Sequence, residues 1–156
     1  MARINVGLNP KYLSDQHLVA ESVEITMITG SLRVNGYKIK GKVPDRFKLE
    51  KGHINFFKNK LLYLSNRLQE VNTEMRAREF NPGTSINLQE FPLEYQQDWA
   101  PTLEDSLLIR TRIVTRLNHP KSGKIGKDYH RHYRRVLGEN MEKFCYDLWH
   151  SELFYV

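Results

Sequence analysis

The amino terminus of the chain, Met1-Ala2-Arg3, carries the first group that could do chemistry. Because Ala2 is small, cellular processing would usually remove Met1 and leave a free amine on Ala2. An α-amine has a reference pKa of about 7.7–8.0, so near neutral pH a good share of it is unprotonated and able to attack an electrophilic carbon. Next to a carboxylate and cations, such an amine suggests imine chemistry on nucleic acid. If Met1 persists, the amine sits one residue too early.

Three polar side chains share one face of a predicted helix. His17, Glu21 and Glu24 fall at positions i, i+4 and i+7. They could form a metal site, a general acid/base set or a solvated stripe. The residues alone favour the solvated stripe, and a metal is disfavoured because no second group of ligands has suitable spacing. A nearby amine adds weight to acid/base chemistry, since a carboxylate could manage its protons and stabilise a cationic sugar.

Cationic residues are concentrated in residues 33–60 and 110–135. Nine lysines and arginines stand against Asp45 and Glu50 in the first segment, and nine stand against Asp128 in the second. Such segments are typical of surfaces that bind phosphates. The alternative is an ordinary solvated surface.

Aromatic residues interleave with arginines in the second basic segment. Tyr129 and Tyr133 flank Arg131, and aromatic rings among cations can stack on bases while the charges hold phosphates. Arg112 and Arg116 are one helical turn apart, so they can grip neighbouring phosphates from one face. We expect nucleic-acid contact here, with an exposed helix that buries one tyrosine as the alternative.

The composition is that of a soluble globular protein with an anionic partner. The 156 residues fit one domain, and 40% hydrophobic with 27% charged residues is ordinary. A net charge of +6 and a pI of about 9.4 favour nucleic acid, or less often an acidic membrane face. One cysteine, Cys145, excludes an intramolecular disulfide. No apolar run approaches the roughly 18–20 residues of a membrane span, so we expect a cytoplasmic protein, or one in the host cytoplasm if viral.

The elements that would position these residues are helices. No segment alternates convincingly as a strand, so the predicted fold class is all-α. Ser14 and Asp15 are both good N-caps for a first helix that runs to about Met27 and is stopped by Gly30.

The clearest periodicity lies between His53 and about Glu79. Seven apolar residues recur there at alternating steps of three and four: Ile54, Phe57, Leu61, Leu64, Leu68, Val71 and Met75. This stripe predicts one helix about 40 Å long, which acts as the structural spine. A coiled coil that binds a partner is the less favoured alternative.

A further helix is predicted after a loop over residues 84–101. Thr102 can cap it, and it runs to about residue 117. The residues expected to face inward are Leu103, Leu107, Val114 and Leu117.

Several stretches of the chain match one known family in the same order. They are Arg3-Ile-Asn5, Asp15-Gln-His-Leu18 with Ala20-Glu21 and Glu24, Gly52-His53-Ile-Asn-Phe-Phe57 with Lys60-Leu61, Arg78 to Asn81, Pro92 to Pro101, Arg112 with Arg116, and Tyr129 to Tyr133. In these stretches the chain resembles the phage-type pyrimidine-dimer DNA glycosylases, also called UV endonucleases or endonuclease V of the pyrimidine-dimer type. The resemblance implies a glycosylase-like helical domain over 1–137 and leaves 138–156 as a C-terminal helical extension, expected to pack on the same domain.

The resemblance implies two linked activities on double-stranded DNA. In that family the α-amine of the residue after Met attacks the sugar C1′ of a damaged nucleotide, breaks the glycosidic bond and forms an imine. Beta-elimination then cuts the strand. Carried over, Ala2 supplies the amine and Glu24 is the catalytic carboxylate. No metal or other cofactor is required, and the protein is expected to act as a monomer.

The resemblance and the basic segments together predict the residues that contact DNA. They are Arg3, His17, Glu21, Arg112, Arg116, Tyr129, Arg131 and Tyr133.

The residues around Glu24 depart from the dimer-specific enzymes. Arginines flank the catalytic carboxylate there, where this chain has Val23 and Met27, and the neighbouring Tyr or His is replaced by Ser22. An arginine is a directional donor and a stacking plane, so its loss changes what a lesion pocket can recognise. Three hypotheses follow: a glycosylase and AP lyase for pyrimidine dimers, the same chemistry on another damaged or modified base, or a DNA-binding protein without turnover.

Overall fold

The structure, a computed structural model, describes residues 3–117, without the side chains of residues 116 and 117. This part of the chain forms four α-helices: α1 (Asp15–Val34), α2 (His53–Phe57), α3 (Leu61–Ala77) and α4 (Leu103–Leu117). Three short 3₁₀ helices cover Pro10–Tyr12, Leu88–Glu90 and Leu93–Tyr95. The same residues hold no β-strand, only an isolated bridge between Lys60 and Gln96. The predicted all-α fold class is therefore confirmed. None of the described helices combines the length and apolarity that crossing a lipid bilayer requires.

The described chain divides into two units. The first unit comprises residues 3–4 and Ala20–Ala100, and the second comprises Asn5–Val19 and residues 101–117. The core of the first unit is formed by Ile4, Ile25, Ile28, Leu32, Phe47, Phe56, Phe57, Leu61, Leu64, Leu68, Val71, Met75 and Phe91. The core of the second unit is formed by Val6, Leu8, Leu13, Leu18, Ile109 and Ile113.

Helix α1 is longer than predicted. Ser14 caps it as expected, because its hydroxyl oxygen accepts the backbone N–H of His17 at 3.2 Å. The predicted stop at Gly30 is wrong, since the helix continues through it to Val34. A glycine inside a helix costs about 1 kcal/mol, whereas burying a residue such as Ile28 or Leu32 on either side stabilises by about 1.5–3 kcal/mol each. Core burial therefore outweighs the local helix breaker.

The predicted single spine is two helices. Residues 58–60 separate α2 from α3, and Lys60 has φ −121° and ψ 46°, which is not helical. Its ammonium group donates to the carbonyl of Phe56 and to the side-chain oxygen of Asn59, both at 2.9 Å. Its backbone pairs with Gln96. These contacts satisfy groups that a continuous helix would satisfy by itself, so the break is stable.

The apolar stripe nevertheless survives the break. Six of its seven members are buried and Ile54 is half-buried. The prediction of a buried stripe is thus confirmed at six positions, although the prediction of one continuous helix is wrong. The turn between α2 and α3 leaves Phe57 and Leu61 on the same buried side.

Helix α4 begins as predicted. The Thr102 hydroxyl oxygen accepts the backbone N–H of Asp105 at 3.2 Å, and the Asp105 carboxylate accepts the backbone N–H of Thr102 at 2.9 Å. This reciprocal pair is a capping box, which satisfies two donors at the helix start.

The inward face of α4 is not the predicted one. Leu103 is 59% exposed, and Leu107 and Val114 are half-buried; the side chain of Leu117 lies outside the description. The buried residues of α4 are Ser106, Ile109, Arg110 and Ile113. Ser106 faces the backbone of Gly7. Gly7 has a φ of 69°, and a Cβ on it would lie 3.0 Å from Cβ of Ser106, so small residues suit both positions. Close backbone approach, which apolar spacing does not encode, selects this face.

Candidate active site

Glu24 lies in the middle of α1 with its carboxylate turned into the protein. The residue is 4% exposed. The backbone N–H of Arg3 donates to Oε2 of Glu24, and the next residue, Ile4, is fully buried. A hydrogen bond from an amide to a carboxylate is charge-assisted and therefore among the stronger ones. This bond ties the start of the described chain to Glu24.

His53 is the second side chain at this carboxylate. It is the first residue of α2 and is 2% exposed. Its Nδ1 lies 2.7 Å from the carbonyl oxygen of Lys48, and its Nε2 lies 3.6 Å from Oε2 of Glu24. The preceding residue, Gly52, has a φ of 102°, a conformation that side chains disfavour. The turn at Gly52 thus aims His53 at Glu24.

Sequence reasoning included His53 in a matching stretch but assigned it no role. The available signal was a histidine between a glycine and two aromatic residues, next to a predicted buried stripe. That signal does not identify the partner of the ring, because Glu24 lies on a different helix.

Glu21 is buried in an ion pair. Its carboxylate accepts two hydrogen bonds from the Arg67 guanidinium, at 2.6 and 3.2 Å, and the residues are 0% and 3% exposed. Burial opposes the charge of Arg67, but the Glu21 carboxylate outweighs it and raises the pKa of the guanidinium. A fully buried, doubly bonded carboxylate does not agree with the predicted DNA contact of Glu21.

The solvated-stripe interpretation of this helix face is wrong for its two carboxylates. Glu21 and Glu24 are both buried, whereas His17 is half-buried. Within residues 3–117 no group of three or more histidine, cysteine, aspartate or glutamate side chains is arranged to hold a metal ion. Glu21 and Glu24 therefore belong to the interior, Glu21 in an ion pair with Arg67 and Glu24 at the backbone amide of Arg3.

Arg112, on α4 in the second unit, is half-buried and held by the protein. Its Nη2 donates to the side-chain oxygen of Asn5 at 2.5 Å. The predicted phosphate contact of Arg112 stays a prediction, as do the DNA contacts of Arg3 and His17. Five predicted site residues have side chains outside the description: Ala2, Arg116, Tyr129, Arg131 and Tyr133. The basic loop after residue 117 and the extension 138–156 also lie outside it.

Two apolar side chains are exposed beside Glu24 along α1. Val23 is 44% and Met27 is 59% exposed, whereas Ser22 is 8% exposed. Val23 precedes Glu24 directly and Met27 follows it by three positions. The surface next to the buried carboxylate is therefore apolar at the positions where the dimer-specific enzymes carry arginine.

The loop that leads to His53 carries an exposed basic segment. Its exposed cations are Lys38, Lys40, Lys42, Arg46, Lys48 and Lys51. The other cations predicted with them are engaged with protein groups. Arg33 is bonded to Glu90 at 2.8 Å, and Lys60 lies 3.9 Å from the centre of the Phe56 ring. Burial lowers the pKa of Lys58, as does the charge of Lys40.

A helical protein with a basic surface loop and a buried carboxylate at its amino-terminal segment fits the class of DNA-processing proteins. A sequence model of one such family, described as pyrimidine dimer DNA glycosylase, matches residues 1–88. This is more than half of the chain, which therefore belongs to the pyrimidine dimer DNA glycosylase family. Its members are DNA repair glycosylases and their substrate is DNA. The match includes Arg3, Glu24 and His53 and ends before α4, so the resemblance beyond residue 88 stays a prediction.

Proposed function

We propose that this chain is a pyrimidine-dimer DNA glycosylase with AP lyase activity, and that its nucleophile is the α-amine of Ala2. The observation that carries the proposal is the hydrogen bond from the Arg3 amide to Glu24. Three covalent bonds separate the α-nitrogen of residue 2 from the amide nitrogen of Arg3, so the two nitrogens are at most about 4 Å apart in any conformation. This bond therefore supports an amine within reach of a buried carboxylate.

The amine would act as a covalent catalyst. Unprotonated, it attacks C1′ of the damaged nucleotide, and the glycosidic bond breaks with its electron pair passing to the leaving base. The amine loses its proton as the sugar ring opens and the imine forms. Removal of a proton from C2′ then expels the 3′ phosphate and cuts the strand, and water releases the enzyme from the imine.

Glu24 would serve both stages of this reaction. As an anion it stabilises the positive charge that develops on the sugar, and it exchanges protons with the amine and the sugar. Its burial strengthens the first effect, because charges interact more strongly away from water.

Double-stranded DNA is the proposed form of the substrate, bound by a monomer. The net charge of +6 and the exposed basic segment before α2 suit a polyanion. An enzyme that reacts at C1′ must reach a sugar whose base is stacked in the duplex, so a nucleotide is expected to leave the stack.

Borohydride trapping on UV-irradiated duplex tests the proposal. Intact-mass measurement first verifies that Met1 is gone. Reduction of the imine should then join protein and DNA covalently, and the joined peptide should begin with Ala2. Protein whose α-amine is acetylated is the matched control and should form no adduct. If verified free Ala2 protein gives no adduct on irradiated duplex, the proposal fails.

A second candidate is the same chemistry on another damaged or modified base. The exposed apolar pair Val23 and Met27 beside Glu24 favours it, because such a surface lacks the charged donors that arginine supplies. Single-turnover trapping rates across duplexes with dimers, alkylated bases and preformed abasic sites would distinguish the two. A strict preference for dimers would reject this candidate.

A further inference from the structure

The backbone determines which nitrogen of the His53 ring carries a proton. Nδ1 lies 2.7 Å from the carbonyl oxygen of Lys48, and a carbonyl oxygen only accepts, so Nδ1 is the donor. In a neutral ring Nε2 then has a lone pair and no hydrogen. Phe47 and Phe57 pack against the ring in T-shaped arrangements, with centroids 5.4 and 5.2 Å away, and hold this orientation.

The other ring nitrogen faces Glu24. Nε2 has no hydrogen-bond partner among the described residues, and it lies 3.6 Å from Oε2 of Glu24. A neutral ring would direct its lone pair at an ionised carboxylate, with both groups withdrawn from water, and this costs free energy. One added proton removes the conflict, because the ring can then donate to the carboxylate or a carboxylic acid can donate to the ring.

We propose that His53 is a positioning residue for Glu24 and that the two side chains share one proton. The inference rests on the proposed function, since it gives a partner to the carboxylate that the reaction uses. The Arg3 amide donates to the same oxygen, Oε2, so the shared proton gives the carboxylate a second support.

Two other titratable groups bear on this pair, Glu21 by its place in the structure and the α-amine of Ala2 by the proposed function. Glu21 lies on α1 one turn before Glu24, but Arg67 neutralises it in a buried ion pair. The α-amine of Ala2 is the second group, as proposed above. Lys48 meets the ring through its backbone, and its side chain is exposed. The shared proton is therefore governed by His53, Glu24 and the amine.

The shared proton suits both roles proposed for Glu24, stabilising the cationic sugar and accepting a proton from it. A doubly protonated ring keeps the carboxylate ionised opposite the cationic sugar. When Glu24 later accepts the proton from C2′, the pair holds two protons and passes one to the departing groups or to water. Without the ring, the carboxylate would lose one of its two supports and the geometry that catalysis needs.

Two substitutions of His53 separate its two contacts. The amide nitrogen of His53→Gln occupies roughly the position of Nε2 and can donate to Glu24, but it cannot titrate. His53→Asn can keep the donor to the Lys48 carbonyl and is too short to reach Glu24. On a duplex with a preformed abasic site, His53→Gln should cleave within about threefold of the parent rate, and His53→Asn should lose roughly tenfold or more.

The pH profile of single-turnover cleavage gives a readout that a purely structural role would not change. In the parent protein, part of the pH dependence of the cleavage rate should come from the His53–Glu24 pair. Both variants should lack that part, since neither amide titrates, and all three proteins should keep the pH dependence that comes from the α-amine. Thermal unfolding and duplex affinity check that the variants are folded. Folded variants with equal rates, or with the parent pH profile, would overturn the inference.

A measurement on the unmodified protein keeps the inference testable if the variants do not fold. Ring-nitrogen and carboxyl NMR shifts at about pH 7 should report one proton on the pair: either a doubly protonated ring or a protonated carboxyl. A neutral ring beside an ionised Glu24 would overturn the inference. If the pair holds its proton but the protein neither cleaves nor is trapped, the proposed function fails and the pair remains. If the protein cleaves and the pair has no proton, the inference fails alone.

Discussion

The proposed catalysis depends on a few atoms around Glu24. A carboxylate that is 4% exposed must be compensated inside the protein. The Arg3 amide donates to one oxygen of that carboxylate, and in our proposal the His53 ring, 3.6 Å away, shares a proton with the same oxygen. The contact that compensates the buried charge also holds Arg3 against Glu24, so stability and the proposed chemistry depend on the same residues.

Glu24→Gln should separate chemistry from binding. The amide keeps the size of the side chain but can neither carry negative charge nor accept a proton from the sugar. We expect strand cleavage to fall by about 10²–10⁴-fold in single-turnover assays, with duplex affinity, measured by fluorescence anisotropy, almost unchanged. Glu104→Gln, an exposed carboxylate on α4, is the matched control and should keep full activity. Equal losses of cleavage and affinity in Glu24→Gln would contradict the assigned role.

The apolar residues beside Glu24 offer a test of lesion choice. Val23→Arg with Met27→Arg supplies the arginines that the dimer-specific enzymes carry there. Because an arginine contact discriminates by about 1–3 kcal/mol, the ratio of kcat/KM for dimers over other lesions should rise roughly tenfold. Val34→Arg adds one positive charge, instead of two, at the 87% exposed end of α1 and should raise affinity for all duplexes alike. The same change in ratio for Val34→Arg would show that charge, not position, is responsible.

At the scale of elements, tertiary contacts determine the path of α1 more than its local helix preference does. It continues through Gly30, it buries the ion pair of Glu21 with Arg67 against α3, and it presents Glu24 to α2. Helix α2 is only five residues long, too short to be stable alone, so its position depends on packing. The site is thus assembled by helices that stabilise one another.

The buried ion pair should be a strong anchor of α1 to α3. Arg67→Met removes the charged partner of the fully buried Glu21 carboxylate, which costs about 3–5 kcal/mol of unfolding free energy. Arg33→Met is the matched control, because its pair with Glu90 is largely solvated and should contribute far less. Urea denaturation of both variants measures the difference. Similar losses would show that the Glu21–Arg67 pair adds little.

Two glycines should respond to alanine in opposite directions. Gly30 lies inside α1 with open space where a Cβ would be, so Gly30→Ala should stabilise by about 0.4–1 kcal/mol. Gly52 has a φ of 102°, and a Cβ there would lie 3.0 Å from Pro44, so Gly52→Ala should destabilise and disturb His53. Thermal unfolding of both proteins checks the signs. Stabilisation by Gly52→Ala would mean that this turn is not strained by a side chain.

At the scale of the whole molecule, we expect charge to direct the protein to DNA and burial to support the proposed chemistry. The net charge is +6, and in the described part of the chain exposed cations concentrate in the loop before α2. Binding and cleavage should therefore be separable, because the exposed lysines lie on a loop, whereas Glu24 is a buried residue in the middle of α1.

Removal of loop charges should change the salt dependence of binding. In Lys38→Ser, Lys42→Ser and Lys51→Ser combined, the slope of log affinity against log salt should fall by about 0.9 for each lost phosphate contact. Weakening should be similar for all duplexes, and cleavage at saturating DNA should persist. Arg76→Ser, an exposed cation at the end of α3, is the single-charge control. An unchanged slope in the triple variant would remove this loop from the DNA interface.

The sequence by itself determined the helical class, the caps at Ser14 and Thr102, most of the buried stripe and the family, because these depend on local spacing and on short matching stretches. The tertiary structure decided the break at residues 58–60 and the path of α1 through Gly30, since core burial and contacts from other segments outweighed local preference. It also decided the partners of the α1 carboxylates. Glu21 meets Arg67 and Glu24 meets His53 across long stretches of chain, and periodicity within one helix carries no information about which distant side chain packs against it.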